Sequence, residues 1–189
     1  MIATLQCPQC MAPLSSNSKK CDYCQTEVFV SSIAYLSTKD ANTVSRYLSS
    51  YQAMLNDNPH NLEANIGIGL CFMIRGIHDQ AKKYFAIAIQ IDLSCSHAYY
   101  YRTLCEIANL PYERLDIKII SEVLKYLKLA YDISPEPHFA YLICKIVTRF
   151  YIANYLRSPK LVRDIYSAGV ILESINDSEL SKLNDLVKF

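Results

Sequence analysis

The sequence predicts an all-α body of antiparallel helical hairpins, preceded by a small β-hairpin module clipped together by cysteines. Three observations carry this expectation. Between residues 62 and 95, small residues (Gly69, Ala81, Ala88) fall where two antiparallel helices would touch, Phe72 and Phe85 supply the bulk between them, and Gly76 stands at the turn. The 189-residue chain has only four glycines and no tryptophan but is rich in Ile, Leu, Ala and Tyr, which suits packed helices better than a turn-rich β chain. Four of the eight cysteines lie within the first 24 residues as two Cys-x-x-Cys pairs, set apart from the rest.

Those four, Cys7, Cys10, Cys21 and Cys24, read C-x2-C-x10-C-x2-C. Each pair makes a tight knuckle that presents two sulfurs to one ion, and the residues between them are expected to form a short β-hairpin that brings the knuckles together. Soft, deprotonated sulfur at tetrahedral spacing is what a zinc-class ion requires. The words CPQC, APL and CDYCQTEVFV resemble a zinc ribbon, and the resemblance implies one structural Zn2+ with no coordination position left for substrate. Met11 and Gln25 depart from the ribbon pattern, since such knuckles commonly carry glycine after the second cysteine; a strained turn is expected at each. A segment this short cannot bury enough apolar surface to fold alone, and metal binding worth ~10 kcal/mol would supply the deficit. The same thiolates would accept iron in a rubredoxin-like site, and a redox dithiol is a further alternative.

After Val30 the strand-like alternation of residues 26–30 gives way to a helical period, with Ser31 and Ser32 as the joint; the expected domains are 1–31 and 32–189. Ser37 and Asp40 resemble a capping arrangement, and Val44, Tyr47, Leu48, Tyr51 and Leu55 share one face of a helix ending near Asn56. Asn58, Pro59 and His60 stop it. Helices follow over 62–74 and 79–91. Ser96 is expected to cap a helix to Asn109, whose face carries Ala98, Tyr101, Leu104, Cys105 and Ala108. Residues 109–116 lengthen the next turn, as a contact loop or simply a longer corner. A helix over 117–133 comes next. Ser134-Pro135 reads as the start of a helix to Leu156 that is apolar on nearly all sides. Pro159 opens a helix to Ile175, and Ser178 caps a last short one ending at Phe189, placed to shield the end of a stack.

With Leu62 as the first position of a unit of about 34 residues, Gly69, Phe72, Gly76, Ala81, Phe85 and Ala88 fall on signature positions of the tetratricopeptide repeat, which this stretch resembles. Ile68 and Leu93 replace the usual leucine and terminal proline. Tyr51 and Met54 precede Phe85 and Ala88 by 34 residues, whereas Leu127 and Ala130 follow them by 42, as an eight-residue insertion would give. The resemblance implies a short tetratricopeptide-like α-solenoid whose first helices line a groove for a protein partner. Carried over residue by residue, Glu63, Ile66, Leu70, Met73, His97, Tyr100, Leu104 and Ile107 face that groove. Ile66 and Leu70 argue against the family's polar clamp for a C-terminal carboxylate. The alternative is that the last helices of the chain fill the groove themselves.

Net charge is +1, with Lys and Arg spread thinly, so no basic footprint for nucleic acid or an anionic membrane is expected. Lys19 and Lys20, beside Asp22, are the one basic pair of the ribbon. No secretory h-region is read at the start, and Arg75, Lys145 and Arg149 break the apolar tracts below the ~18 residues of a bilayer span. Cys71, Cys95, Cys105 and Cys144 read as buried reduced thiols, which points to the cytoplasm. The abundant tyrosines, Tyr99, Tyr100 and Tyr101 above all, read as packing. His60, His78, His97 and His138 fall at helix starts or turns and read as solvated, with no His-x-x-x-His or His-Glu-x-x-His pair; Cys95-Ser96-His97 reads as a turn in preference to a ligand pair. No phosphate loop, nucleophile elbow or paired-carboxylate motif appears, and no catalytic residue is expected. The expected function is a non-catalytic protein–protein adaptor or assembly component. A nucleic-acid-associated regulatory factor using the ribbon and an iron or redox protein are the alternatives.

Overall fold

The computed structural model describes residues 6–15, 18–30, 32–108 and 116–152, together with Leu156 and Lys160. Contacts divide the chain into two compact units, Met1–Leu93 and Ser94–Phe189. The first holds the cysteine knuckles and four helices, α1 (Ile33–Ser37), α2 (Ala41–Asp57), α3 (Leu62–Ile74) and α4 (His78–Ile91). The second holds α5 (Ser96–Ile107), α6 (Ile117–Ile133), α7 (Pro137–Ile146) and a π-helical segment, Val147–Ile152. The fold is mostly helical, and no strand occurs among the described residues; β-type pairing there consists of two isolated antiparallel bridges, Gln6 with Pro13 and Lys20 with Glu27. Each bridge closes one knuckle. The expected hairpin, with Lys19 and Lys20 at its tip, would instead have joined the two; Lys20 pairs with Glu27 of its own knuckle, and Ser16 and Asn17 lie outside the described residues. Of the loop expected at 109–116 only Asp116 is described; residues 153–155 of the helix read to Leu156, the last two helices expected after it apart from Lys160, and Ser31 also lie outside the described residues.

In the first unit, α1 is a short helix where only a joint was expected; its buried Ile33 and Leu36 pack it against α3. The Ser37 hydroxyl bonds back to the Ala34 carbonyl at 2.8 Å, so it does not cap α2. Asp40 does this alone. Its carboxylate accepts from the backbone N–H of Asn42 and of Thr43 at 2.9 and 3.0 Å, satisfying two of the donors that a helix start leaves open. The hydroxyl and N–H of Thr43 hold that carboxyl below the usual carboxylate range.

The next two contacts depend on missing side chains. A Cβ on Gly67 would lie 2.3 Å from the Tyr51 ring of α2, and one on Gly69 would lie 2.6 Å from the Phe85 ring of α4. Glycine at these positions lets α3 approach a ring on each side. Ala81, Phe85 and Ala88 are buried along α4, as their spacing predicts. Gly76, at φ +72°, takes the left-handed conformation that ends α3. The N–H of Ile77 bonds the Phe72 carbonyl and that of Gly76 the Met73 carbonyl, both at 2.9 Å, which is a Schellman termination.

In the second unit, α6 packs against α5 on one side and α7 on the other. Tyr99, Tyr100 and Tyr101 are buried; Tyr99 stacks on Tyr126 of α6, and the Arg102 guanidinium lies 4.4 Å from the centre of that ring. Two starts differ from expectation. Ser96 is the first residue of α5 and makes no capping bond, the cap position falling to Cys95. Helix α7 begins at Pro137, with Glu136 in the cap position, because Ser134 and Glu136 each precede a proline and both are extended. The continuous helix expected to Leu156 loosens into π turns at Val147, and the Leu156 N–H reaches the Tyr151 carbonyl five residues back at 2.7 Å. No helix among the described residues is long and apolar enough to cross a membrane.

Candidate metal centre

The two knuckles are built alike. In the first, the Cys7 carbonyl accepts from the Met11 N–H at 2.9 Å while the Cys7 N–H donates to the Ala12 carbonyl at 2.8 Å. In the second, the Cys21 carbonyl accepts from Gln25 at 2.8 Å and the Cys21 N–H donates to Thr26 at 2.9 Å. The chain can close this loop only by passing through the left-handed region at the residue after the second cysteine, and Met11 (φ 64°) and Gln25 (φ 58°) both occupy it. The strain expected at these positions is therefore present in the backbone.

The knuckles bring the four sulfurs together. Cys7 Sγ lies 3.6 Å from Cys24 Sγ, Cys10 Sγ lies 3.6 Å from Cys21 Sγ, and all four sit within 4.8 Å of one another. A disulfide would need about 2.05 Å. A tetrahedron of Zn–S bonds about 2.3 Å long has sulfurs about 3.8 Å apart, so this donor set is grouped closely enough to hold a metal ion. Cys7 and Cys21 are buried, Cys24 is partly covered and Cys10 is exposed. Crowding sets the thiols against one another. Hydrogen bonds from the Thr26 hydroxyl and N–H bring Cys24 down to about 6. A backbone bond at Ala12 favours the Cys10 thiolate, but desolvation and the three neighbouring sulfurs outweigh it and push Cys10 up to about 12. Burial also raises Cys7. Four thiolates cannot share this space unless a cation neutralises them.

Helix α2 holds the knuckles in place. The Tyr47 hydroxyl donates to the Glu27 carbonyl at 3.0 Å, and Arg46 Nη1 reaches the Gln9 carbonyl at 3.4 Å. Tyr51 donates to the Val28 carbonyl and accepts from the Val30 N–H, and its ring stacks on Phe29 with centroids 6.5 Å apart. Val28 and Val30 are buried beneath these contacts. The alternation at residues 26–30 thus serves to dock the exit segment of the knuckles on a helix.

Of the residues that the sequence assigns to a partner groove, Leu70, Met73, Tyr100, Leu104 and Ile107 are buried, whereas Ile66 and His97 are half-buried and Glu63 is exposed. Glu63 and Ile66 have company that sequence reasoning missed. With Lys19, Lys20, Glu27, Phe29 and Val30 they line an open cleft of about 360 Å³ between the second cysteine knuckle and α3. Its lining combines apolar side chains with charges of both signs. Nothing in the spacing of residues 19–30 and 63–66 announces this meeting, which depends on Tyr47 and Tyr51 holding residues 27–30.

The scattered cysteines form no disulfide; Cys71 and Cys105 are buried as expected, Cys95 and Cys144 only half-buried, and burial pushes the Cys71 thiol up to about 12. The histidines differ from expectation. His60 is exposed as read, but the His78 Nδ1 is buried without a hydrogen-bond partner, and the His138 side chain is only 12 % exposed. No protein-family model matches the chain, and no curated protein is detectably similar to it.

Proposed function

We propose that this chain is a non-catalytic protein–protein adaptor, a component of a larger assembly, in which a zinc ribbon and a tetratricopeptide-like helical scaffold together present a docking surface. The observation that carries this reading is the cleft where Lys19, Lys20, Glu27, Phe29 and Val30 of the ribbon meet Glu63 and Ile66 of α3. It has room for one or two side chains of a partner, with Phe29, Val30 and Ile66 to receive an apolar residue and the lysines and glutamates to orient its polar neighbours.

Zinc is the structural cofactor in this reading. Four cysteine sulfurs saturate a tetrahedral ion, so the metal's role is to hold the knuckles folded and hence to hold one wall of the cleft. Such a site keeps its thiolates in the reducing cytoplasm, where we place the protein.

The test is capture of a partner by the full chain, comparing wild type with Ile66→Arg and with the Lys19→Glu, Lys20→Glu pair. Partner recovered by wild type and lost with both variants, at unchanged metal content and helicity, is the expected result. Equal recovery by all three would move the docking surface elsewhere.

A further inference from the structure

The second unit contains another cluster of metal-ligating side chains. His97 is the second residue of α5, Glu136 occupies the cap position of α7, and His138 is the second residue of α7. The start of α7 is placed so that the two carboxylate oxygens of Glu136 face different rings. Oε1 lies 3.6 Å from His97 Nε2, and Oε2 lies 3.6 Å from His138 Nε2. One ligand atom from each of the three residues falls within 4.8 Å of the other two.

The gap of 3.6 Å is too wide for N–H···O hydrogen bonds, which close to about 2.7–3.2 Å. Ligands each about 2.1 Å from a tetrahedral ion stand about 3.4 Å apart; with the three ligand atoms within 4.8 Å of one another, side-chain movements of about an ångström would place an ion between them. We propose that His97, Glu136 and His138 form a second metal site, for a divalent transition ion of the zinc class, with a coordination position left open.

The donor set selects the ion. Two imidazoles and one carboxylate suit zinc, cobalt or nickel, whereas calcium and magnesium call for oxygen ligands throughout. The surroundings shape the site: His138 packs edge-on to Tyr100 and Phe139, with ring centroids 4.8 and 4.3 Å away, and His97 lies edge-on to Phe139 at 5.9 Å. These rings limit the motion of both imidazoles. Side-chain exposure falls from 37 % at His97 through 28 % at Glu136 to 12 % at His138, so the open position faces outward on the His97 side. Two helix starts contribute partial positive charge, which opposes a cation, and the Glu136 carboxylate offsets it. The site therefore binds more weakly than the four thiolates and fills after them.

Cobalt titration of the full chain separates the two sites. The first equivalent should give the sulfur-to-cobalt charge-transfer band of the cysteine site; the second should add only the weaker d–d bands of nitrogen and oxygen ligands. Glu136→Gln and His97→Gln, which change the two more exposed ligands, should each abolish the second uptake and leave the first intact. As a readout independent of any variant, the imidazole nitrogen resonances of two histidines of the wild-type chain should move with the second equivalent of zinc. Uptake of a single equivalent by wild type, a second uptake unaffected by both substitutions, or histidine resonances that do not move would each overturn the assignment.

Discussion

Tyr51 donates its hydroxyl to the Val28 carbonyl at 3.0 Å, joining helix α2 to the segment by which the chain leaves the cysteine knuckles. The same hydroxyl accepts from the Val30 N–H at 3.0 Å, and the same ring lies over Gly67 of α3. One buried side chain therefore ties the segment that follows the knuckles to two helices. Tyr51→Phe keeps the ring and strands a buried N–H and carbonyl, each costing about 1–3 kcal/mol when left unpaired. Urea unfolding of the metal-loaded chain should show a loss of about 2–6 kcal/mol. Tyr47→Phe should cost less, because its acceptor belongs to the exposed Glu27. A Tyr51→Phe protein as stable as wild type would mean that the ribbon is not docked through this hydroxyl.

Gly67→Ala and Gly69→Ala should both destabilise, by about 1–3 kcal/mol each, since the new methyl meets a buried ring that has no room to withdraw. Their side effects should differ. Gly67→Ala pushes on Tyr51 and should also speed metal loss to a chelator, whereas Gly69→Ala pushes on Phe85, away from the ribbon, and should leave that rate unchanged. Thermal unfolding combined with a chelator-release assay distinguishes them.

Met11→Gly and Gln25→Gly should stabilise the metal-bound ribbon. Each residue sits at positive φ, where a side chain costs about 1–2 kcal/mol; glycine removes that strain but loses about 0.5–1 kcal/mol to the freedom of the unfolded chain. Slower metal release in a chelator competition is the expected net result. Faster release from both variants would show that the side chains contribute packing that outweighs the strain.

His78 should give stability a dependence on acid. Burial lowers its pKa in the folded chain, against an opposing effect of Asp79, so the unfolded chain takes up the proton first. Its contribution is complete above the unfolded value of about 6.5 and is lost as pH falls below it. The difference in unfolding free energy between wild type and His78→Gln should be flat above about pH 7 and should shift toward the variant at about pH 5.5. A difference that stays constant across that range would contradict a half-buried ring held neutral.

The helices and the knuckles were legible because both rest on local chemistry. Gly69, Ala81, Phe85 and Ala88 lie on a helical period, Gly76 at a turn needs no partner to be recognised, and two Cys-x-x-Cys pairs define a donor set by spacing alone. The left-handed turns at Met11 and Gln25 were legible for the same reason. Starts were harder: Asp40 and Ser37 are both good capping residues, and only the formation of α1, which occupies the Ser37 hydroxyl, decides between them. Ser134-Pro135-Glu136-Pro137 offers two proline starts, and the second is used. Long-range meetings left little trace. Ile66 gives no sign that it shares a cleft with Lys19, and His97 and His138, 41 residues apart, could have been linked only by noticing that each is the second residue of its helix.

The most direct test of the account is the absorption spectrum of the full chain carrying one equivalent of cobalt. Ligation by Cys7, Cys10, Cys21 and Cys24 predicts an intense sulfur-to-metal charge-transfer band with the d–d pattern of a tetrahedral four-sulfur site, abolished by Cys21→Ala. A first equivalent that binds without a charge-transfer band, or whose spectrum survives that substitution, would contradict it.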